Sequence, residues 1–187
     1  MKKFFIILLV LIIVGAAAYF IYPKFSDNGQ YKSTRNGNNN AGEDDRKSYS
    51  SSQFGISFEY PSSWVLSEAE PGLIIIKPMA NITDELAPIS IDVRGVEPYE
   101  DALREIRINA VGKAETELTF GKYKAVAVSG KLSPDIGENA GVPFTFTMIN
   151  HAGQLYSIDY IEFGSESAGA RDVYLGIVGS FKFADSQ

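Results

Sequence analysis

The chain has 187 residues, enough for one domain plus an extension, and its 45% hydrophobic and 21% charged residues suit a packed core. The net charge is −6; the first 48 residues carry seven Lys/Arg against four Asp/Glu, so the remainder stands at −9 and lacks the basic face that nucleic-acid phosphates require. There is no cysteine, which excludes disulfides, thiolate metal sites, iron–sulfur clusters, cysteine nucleophiles and a lipidated cysteine anchor.

Lys2 and Lys3 precede an uncharged apolar run from Phe4 to Tyr22. As a helix its 19 residues are long enough to cross roughly 30 Å of hydrocarbon. Residues 1–25 are therefore expected to form a signal anchor, with Phe4, Leu8, Leu11, Val14, Phe20 and Tyr22 among the side chains in lipid. The ring of Tyr22 suits the membrane interface, and Pro23 ends the helix. The short, doubly basic tail places the N-terminus in the cytoplasm and the domain outside it, although Lys24, Lys32 and Arg35 blunt the charge asymmetry. The alternative is a signal peptide cleaved near Ala18; the apolar run continues through Tyr19, Phe20, Ile21 and Tyr22, which favours retention. Both readings export the same domain.

Residues 26–48 are polar, with the run Asn38, Asn39, Asn40, and cannot bury enough surface to fold. They are expected to be a flexible linker before a domain at 49–187. Phe54, Ile56, Phe58 and Tyr60 fall at spacing two and predict a strand that Pro61 stops. Trp64-Val65-Leu66 predicts a second strand, with Trp64 locking a first hairpin. Leu73 to Ile76, bounded by Gly72 and Pro78, predicts a buried central strand, and Ile89, Ile91 and Val93 alternate again.

The period then changes. Tyr99, Leu103, Ile106 and Ala110 share one helical face, with Ala102 beside them, Glu100 and Asp101 in the first turn, and Gly112 as the C-terminal stop. Four strands are expected at about 114–120, 122–132, 142–150 and 154–162, with a mobile loop from Ser133 to Gly141. A last helix over roughly 167–179 turns Val173, Tyr174, Ile177 and Val178 inward, and Phe181 and Phe183 close the core. The fold class is α+β, an antiparallel sheet sandwiched between helices.

The opening QFGISFEYPSSW and the close VYLGIVGSFKF resemble the first strand and the terminal helix and strand of PsbP-like domains. Between them the helix from Tyr99, the segment FGKYKAVAVSG and the hairpin FTFTMINHAGQLYSIDYIE follow the family's order, so the resemblance spans about residues 49 to 184. It implies the fold. PsbP itself is an extrinsic subunit of photosystem II that supports calcium and chloride retention; its metal-contacting residues have no counterpart here. Anchor and linker stand in place of the family's photosystem-binding N-terminal portion. The anchored layout resembles bacterial members.

Catalytic constellations are absent from the sequence. His151 is the single histidine and is expected in a solvent-exposed hairpin turn, which rules out a histidine triad or a two-histidine metal site. No serine lies in G-x-S-x-G, and no phosphate-binding glycine loop is present. No cofactor is expected. Asp84 and Glu85, in a loop with Asn81, are the candidates for weak divalent binding, although no D-x-D-x-D-G loop occurs. Trp64 and Tyr99 are the candidates for a ligand or partner surface, against the plainer expectation that Trp64 is a core anchor. The expected role is a non-enzymatic, membrane-anchored extracytoplasmic binding or accessory module with a protein partner. The alternative is a small-molecule or lipid carrier with an apolar pocket between sheet and helix. A third reading, a hydrolase working through two carboxylates alone, needs them to face each other across a cleft.

Overall fold

The computed structural model describes residues 45–79, 87–137, 139–167 and 169–184. The anchor residues Phe4, Leu8, Leu11, Val14, Phe20 and Tyr22, the pair Asp84 and Glu85, and the linker up to residue 44 lie outside the described residues. Among the described residues no helix is long and apolar enough to cross a membrane.

Among the described residues ten strands and two α-helices follow one another: β1 (Arg46–Ser51), β2 (Ile56–Pro61), β3 (Trp64–Glu70), β4 (Leu73–Pro78), β5 (Ile89–Gly95), α1 (Tyr99–Ile108), β6 (Ala110–Phe120), β7 (Tyr123–Leu132), β8 (Pro143–His151), β9 (Gln154–Ile161), α2 (Ala170–Ser180) and β10 (Lys182–Phe183). Seven of them form one antiparallel sheet in the order β3-β4-β5-β9-β8-β7-β6, and the other three form a small sheet, β1-β2-β10. The described domain is thus α+β with antiparallel sheets, as the alternation and the helical period predict.

The large sheet buries both faces around its middle. On one face Ile74, Ile76, Ile89, Ile91, Ile149, Tyr156, Ile158 and Tyr160 meet the small sheet's Ile56, Phe58 and Tyr60 together with Tyr174 and Ile177 of α2. On the other face Val128, Phe144, Met148 and Leu155 meet Ala102, Leu103 and Ile106 of α1. Strand β9 contributes to both cores, because its alternate residues point to opposite sides. One layer is therefore part helix and part sheet, which the sequence did not announce.

The two sheets arise because the chain changes sheet at Ser62 and Ser63. β2 pairs with β1 and β10, whereas β3 pairs only with β4, so the expected hairpin of these two strands does not form. β1 begins at Arg46, inside the stretch expected to be linker. A polar edge strand needs only one buried face, and here Tyr49 supplies it while its hydroxyl donates to Glu68 at 2.7 Å. The small sheet is closed at its other edge by the end of the domain: Phe183 lies opposite Ile56, and the Glu59 amide donates to Ser180 Oγ at 3.0 Å.

β4 lies one strand in from the edge and alternates: Ile74 and Ile76 are fully buried, and Leu73 and Ile75 are half-buried on the other face. Helix α1 is shorter than expected. It stops at Ile108, the amide of Asn109 bonds back to Glu105 O, and Ala110 already belongs to β6. Gly112 is therefore no helix cap. At φ 62° it sits where the β6–β7 register shifts between Val111 and Ala114, a bulge whose left-handed residue glycine adopts without strain.

Candidate functional site

The α1 side of the large sheet is capped by that helix over β6 and β8. Cross-strand register sets the rest of the row. Ile75 lies opposite Ser90, Ser90 opposite Asp159, Asp159 opposite Phe146 and Phe146 opposite Val128. One step along, Leu73 lies opposite Asp92 and Asp92 opposite Ser157. On β5 and β9 the carboxylates of Asp92 and Asp159 thus occupy one diagonal of a square and the hydroxyls of Ser90 and Ser157 the other. Directly opposed side chains sit roughly 5 Å apart at Cβ, so the four form one polar patch. Val65, Leu73 and Ile75 continue this face toward the β3 edge, half-buried and part of neither core.

Asp159 is the unusual member. It is 8% exposed, its Oδ2 accepts a hydrogen bond from Ser157 Oγ at 3.1 Å, and its Oδ1 is buried with no hydrogen-bond partner among the described residues. Burial pushes its carboxyl up to about 7, opposed by the positive charge of Arg94 and the Ser157 hydroxyl and reinforced by Asp92. Asp92 is also raised by burial, and Arg94, whose Nε lies 3.2 Å from its Oδ2, draws it back down. A buried carboxyl with one unsatisfied oxygen is a costly arrangement in a core, and such groups concentrate where a structure does something besides fold.

Beside the patch a cleft of about 160 Å³ opens between α1 and β8. Ala102, Ile106, Leu132, Phe144 and Phe146 are among its walls, and Arg94, Glu105 and Asn109 supply the polar ones. The rings of Phe144 and Phe146 lie 4.6 Å apart, tilted by 41°. Binding pockets for drug-sized molecules are typically about 300 Å³ or more, so this cleft suits one side chain rather than a carrier's cargo.

The residues singled out from sequence fall elsewhere. Trp64 is 7% exposed in the core shared with the small sheet, so its ring has little face to offer a ligand or partner. Tyr99 is half-buried at the start of α1, its hydroxyl 3.5 Å from Met148 O, and burial raises its phenol with help from Glu100. His151 is not an exposed turn residue. It ends β8 and stacks on Phe183 at 3.9 Å and 5°, with Tyr123 edge-on at 4.3 Å. Among the described residues no three His, Asp or Glu side chains gather in a way that would hold a metal ion. Asp159 is not among the site candidates taken from the sequence. The signal was present in QLYSIDYI, where serine and aspartate interrupt a strand that is apolar on both faces.

No model of a known protein family matches this sequence, and neither does any curated protein. Solved structures do. The Ran-binding protein Mog1p of Saccharomyces cerevisiae aligns at 10% identity over 76% of this chain and 97% of its own, with a TM-score of 0.46. The solution structure of cyanobacterial PsbP (CyanoP) from Synechocystis sp. PCC 6803 aligns at 12% identity over 79% of this chain and 98% of its own, with a TM-score of 0.50. The small and large antiparallel sheets with their two helices are therefore a PsbP-like fold.

Proposed function

We propose that the chain is a membrane-anchored accessory module that works by docking a partner protein outside the cytoplasm, without chemistry of its own. The observation that carries this reading is the α1 side of the large sheet. α1 caps only part of it, and the rest presents Val65, Leu73 and Ile75 beside a polar patch containing an unsatisfied buried carboxyl. Apolar side chains rimmed by polar ones are what a partner's surface covers. The anchor, Phe4 to Tyr22, supports the address: an uncharged run preceded by Lys2 and Lys3, with the polar linker giving the domain reach.

Site-specific photocrosslinking in native membranes tests the docking face. A photoreactive residue at Ile75 should give a reproducible adduct, and one at Lys182, on the opposite layer, should not. Adducts of equal yield at both positions, or none at either, would count against a docking face on this side. Alkaline extraction of the membranes tests the anchor, since an integral chain stays in the pellet and a cleaved or peripheral one is released.

A further inference from the structure

We infer that the cleft beside α1 receives a lysine or arginine side chain of the partner protein. The inference rests on the docking reading above and adds the chemistry of the anchoring residue.

The walls fix the shape of the occupant. Ala102, Ile106 and Leu132 offer an apolar channel for an alkyl stem, and the Phe144 and Phe146 rings offer π faces to a cation. The volume, about 160 Å³, holds one long side chain. What selects the charge is the state of the two charged groups in the wall, Arg94 and Glu105. Arg94 is held by Asp92 at 3.2 Å. Arg104 and Arg107 of α1, which do not line the cleft, are held by Asp101 at 2.6 Å and by Glu115 at 2.7 Å. Arg94, the arginine in the cleft wall, therefore has its counter-ion, whereas Glu105, also in the wall, has no ion pair among the described residues.

Two further facts point the same way. Beside Phe146 in the sheet lies Asp159, with its unpartnered Oδ1 buried on this same face. The chain beyond residue 48 has a net charge of −9, which draws a basic partner surface and repels an acidic one. An apolar stem lying along these walls and against the paired rings, with its cation at Glu105, matches both the shape of the cleft and its unpaired carboxylate.

Nuclear magnetic resonance of the full chain in lipid nanodiscs, labelled at isoleucine and leucine methyls, reads the cleft through Ile106, Leu132 and Ile136. The probes are Nα-acetyl-lysine methylamide, its norleucine counterpart with the same stem and no charge, and the glutamate counterpart. The lysine probe should shift all three methyls and bind more tightly than norleucine. Glu105→Gln should weaken the lysine probe by roughly two- to fivefold, the range of an exposed ion pair, and leave norleucine unchanged. Equal binding of lysine and norleucine would overturn the inference about charge while the docking face stood. Tighter binding of the glutamate probe would overturn it in favour of Arg94 as the recognising group. If no probe moves the three methyls, the cleft is not a receptor, and the inference falls independently of crosslinking at Ile75.

Discussion

Replacing Asp159 by asparagine should change how the domain's stability depends on pH. In the folded chain the Asp159 carboxyl is pushed up to about 7 from an ordinary value of 3.8, chiefly by burial. Between those values the unfolded chain has released the proton and the folded chain still holds it. For a carboxyl raised in this way, folding is most favoured below pH 4, loses ground as pH rises toward 7, and changes no further above that. A gap of about three pH units at about 1.36 kcal/mol each gives a loss on the order of 4 kcal/mol. Asparagine does not titrate and keeps an oxygen for the Ser157 hydroxyl. The difference in unfolding free energy, wild type minus Asp159→Asn, should therefore fall by about 4 kcal/mol between pH 4 and pH 8. Denaturant titrations followed by the fluorescence of buried Trp64 measure it at each pH. The slope matters rather than the offset, because the new amide's unpaired N–H groups add a pH-independent cost of about 1–3 kcal/mol. A difference that stays constant across this range would refute the reasoning. So would one in which the wild type gains on the variant as pH rises, since Asp159 would then be ionised and held by Arg94.

Three other perturbations have expected outcomes. Thr147→Val removes the partner of the buried Tyr174 hydroxyl, itself raised to about 12 chiefly by burial, and should cost about 1–3 kcal/mol in urea unfolding. Adding Tyr174→Phe should recover part of that loss, because no polar group then remains unpaired. Gly72→Ala should destabilise by at least about 1 kcal/mol, since φ is 91° and the new Cβ would lie 3.2 Å from Val93 O; Gly179→Ala, in α2 with open space around it, should instead stabilise by up to about 1 kcal/mol, and thermal melts of the two variants read both signs. Phe183→Ala, which empties a fully buried site beneath His151, should cost about 3–5 kcal/mol by the same melts.

Periodicity made most of the strands and both helices legible, because each has a buried face that repeats at two or near 3.6. Ile56, Phe58 and Tyr60, then Tyr174 and Ile177, are buried as their spacing predicts. Sheet membership was not legible. Nothing in Pro61-Ser62-Ser63-Trp64 distinguishes a hairpin turn from a change of sheet, since the same residue types serve either path. Gly112 was misplaced for a similar reason: a glycine after a helical run marks a cap or a bulge equally well, and the bulge is fixed by pairing with β7. The candidate site was harder still. Trp64 and His151 drew attention by rarity, yet one is core and the other completes an aromatic stack. Asp159 was legible only as an aspartate in an apolar strand, and its pairing with Ser157 and nearness to Asp92 depend on register between distant segments.

The closure of the small sheet by β10 governs how the domain must be made. Glu59 waits for Ser180, 121 positions later in the chain. At synthesis rates of about 5–20 residues per second that is roughly 6–24 s during which Ile56, Phe58 and Tyr60 are without their final neighbours. Contacts of such long sequence separation also form slowly once the strand arrives. Through that interval the nascent chain is open to mispairing, and its yield depends on whatever shields those three residues until synthesis reaches Phe183.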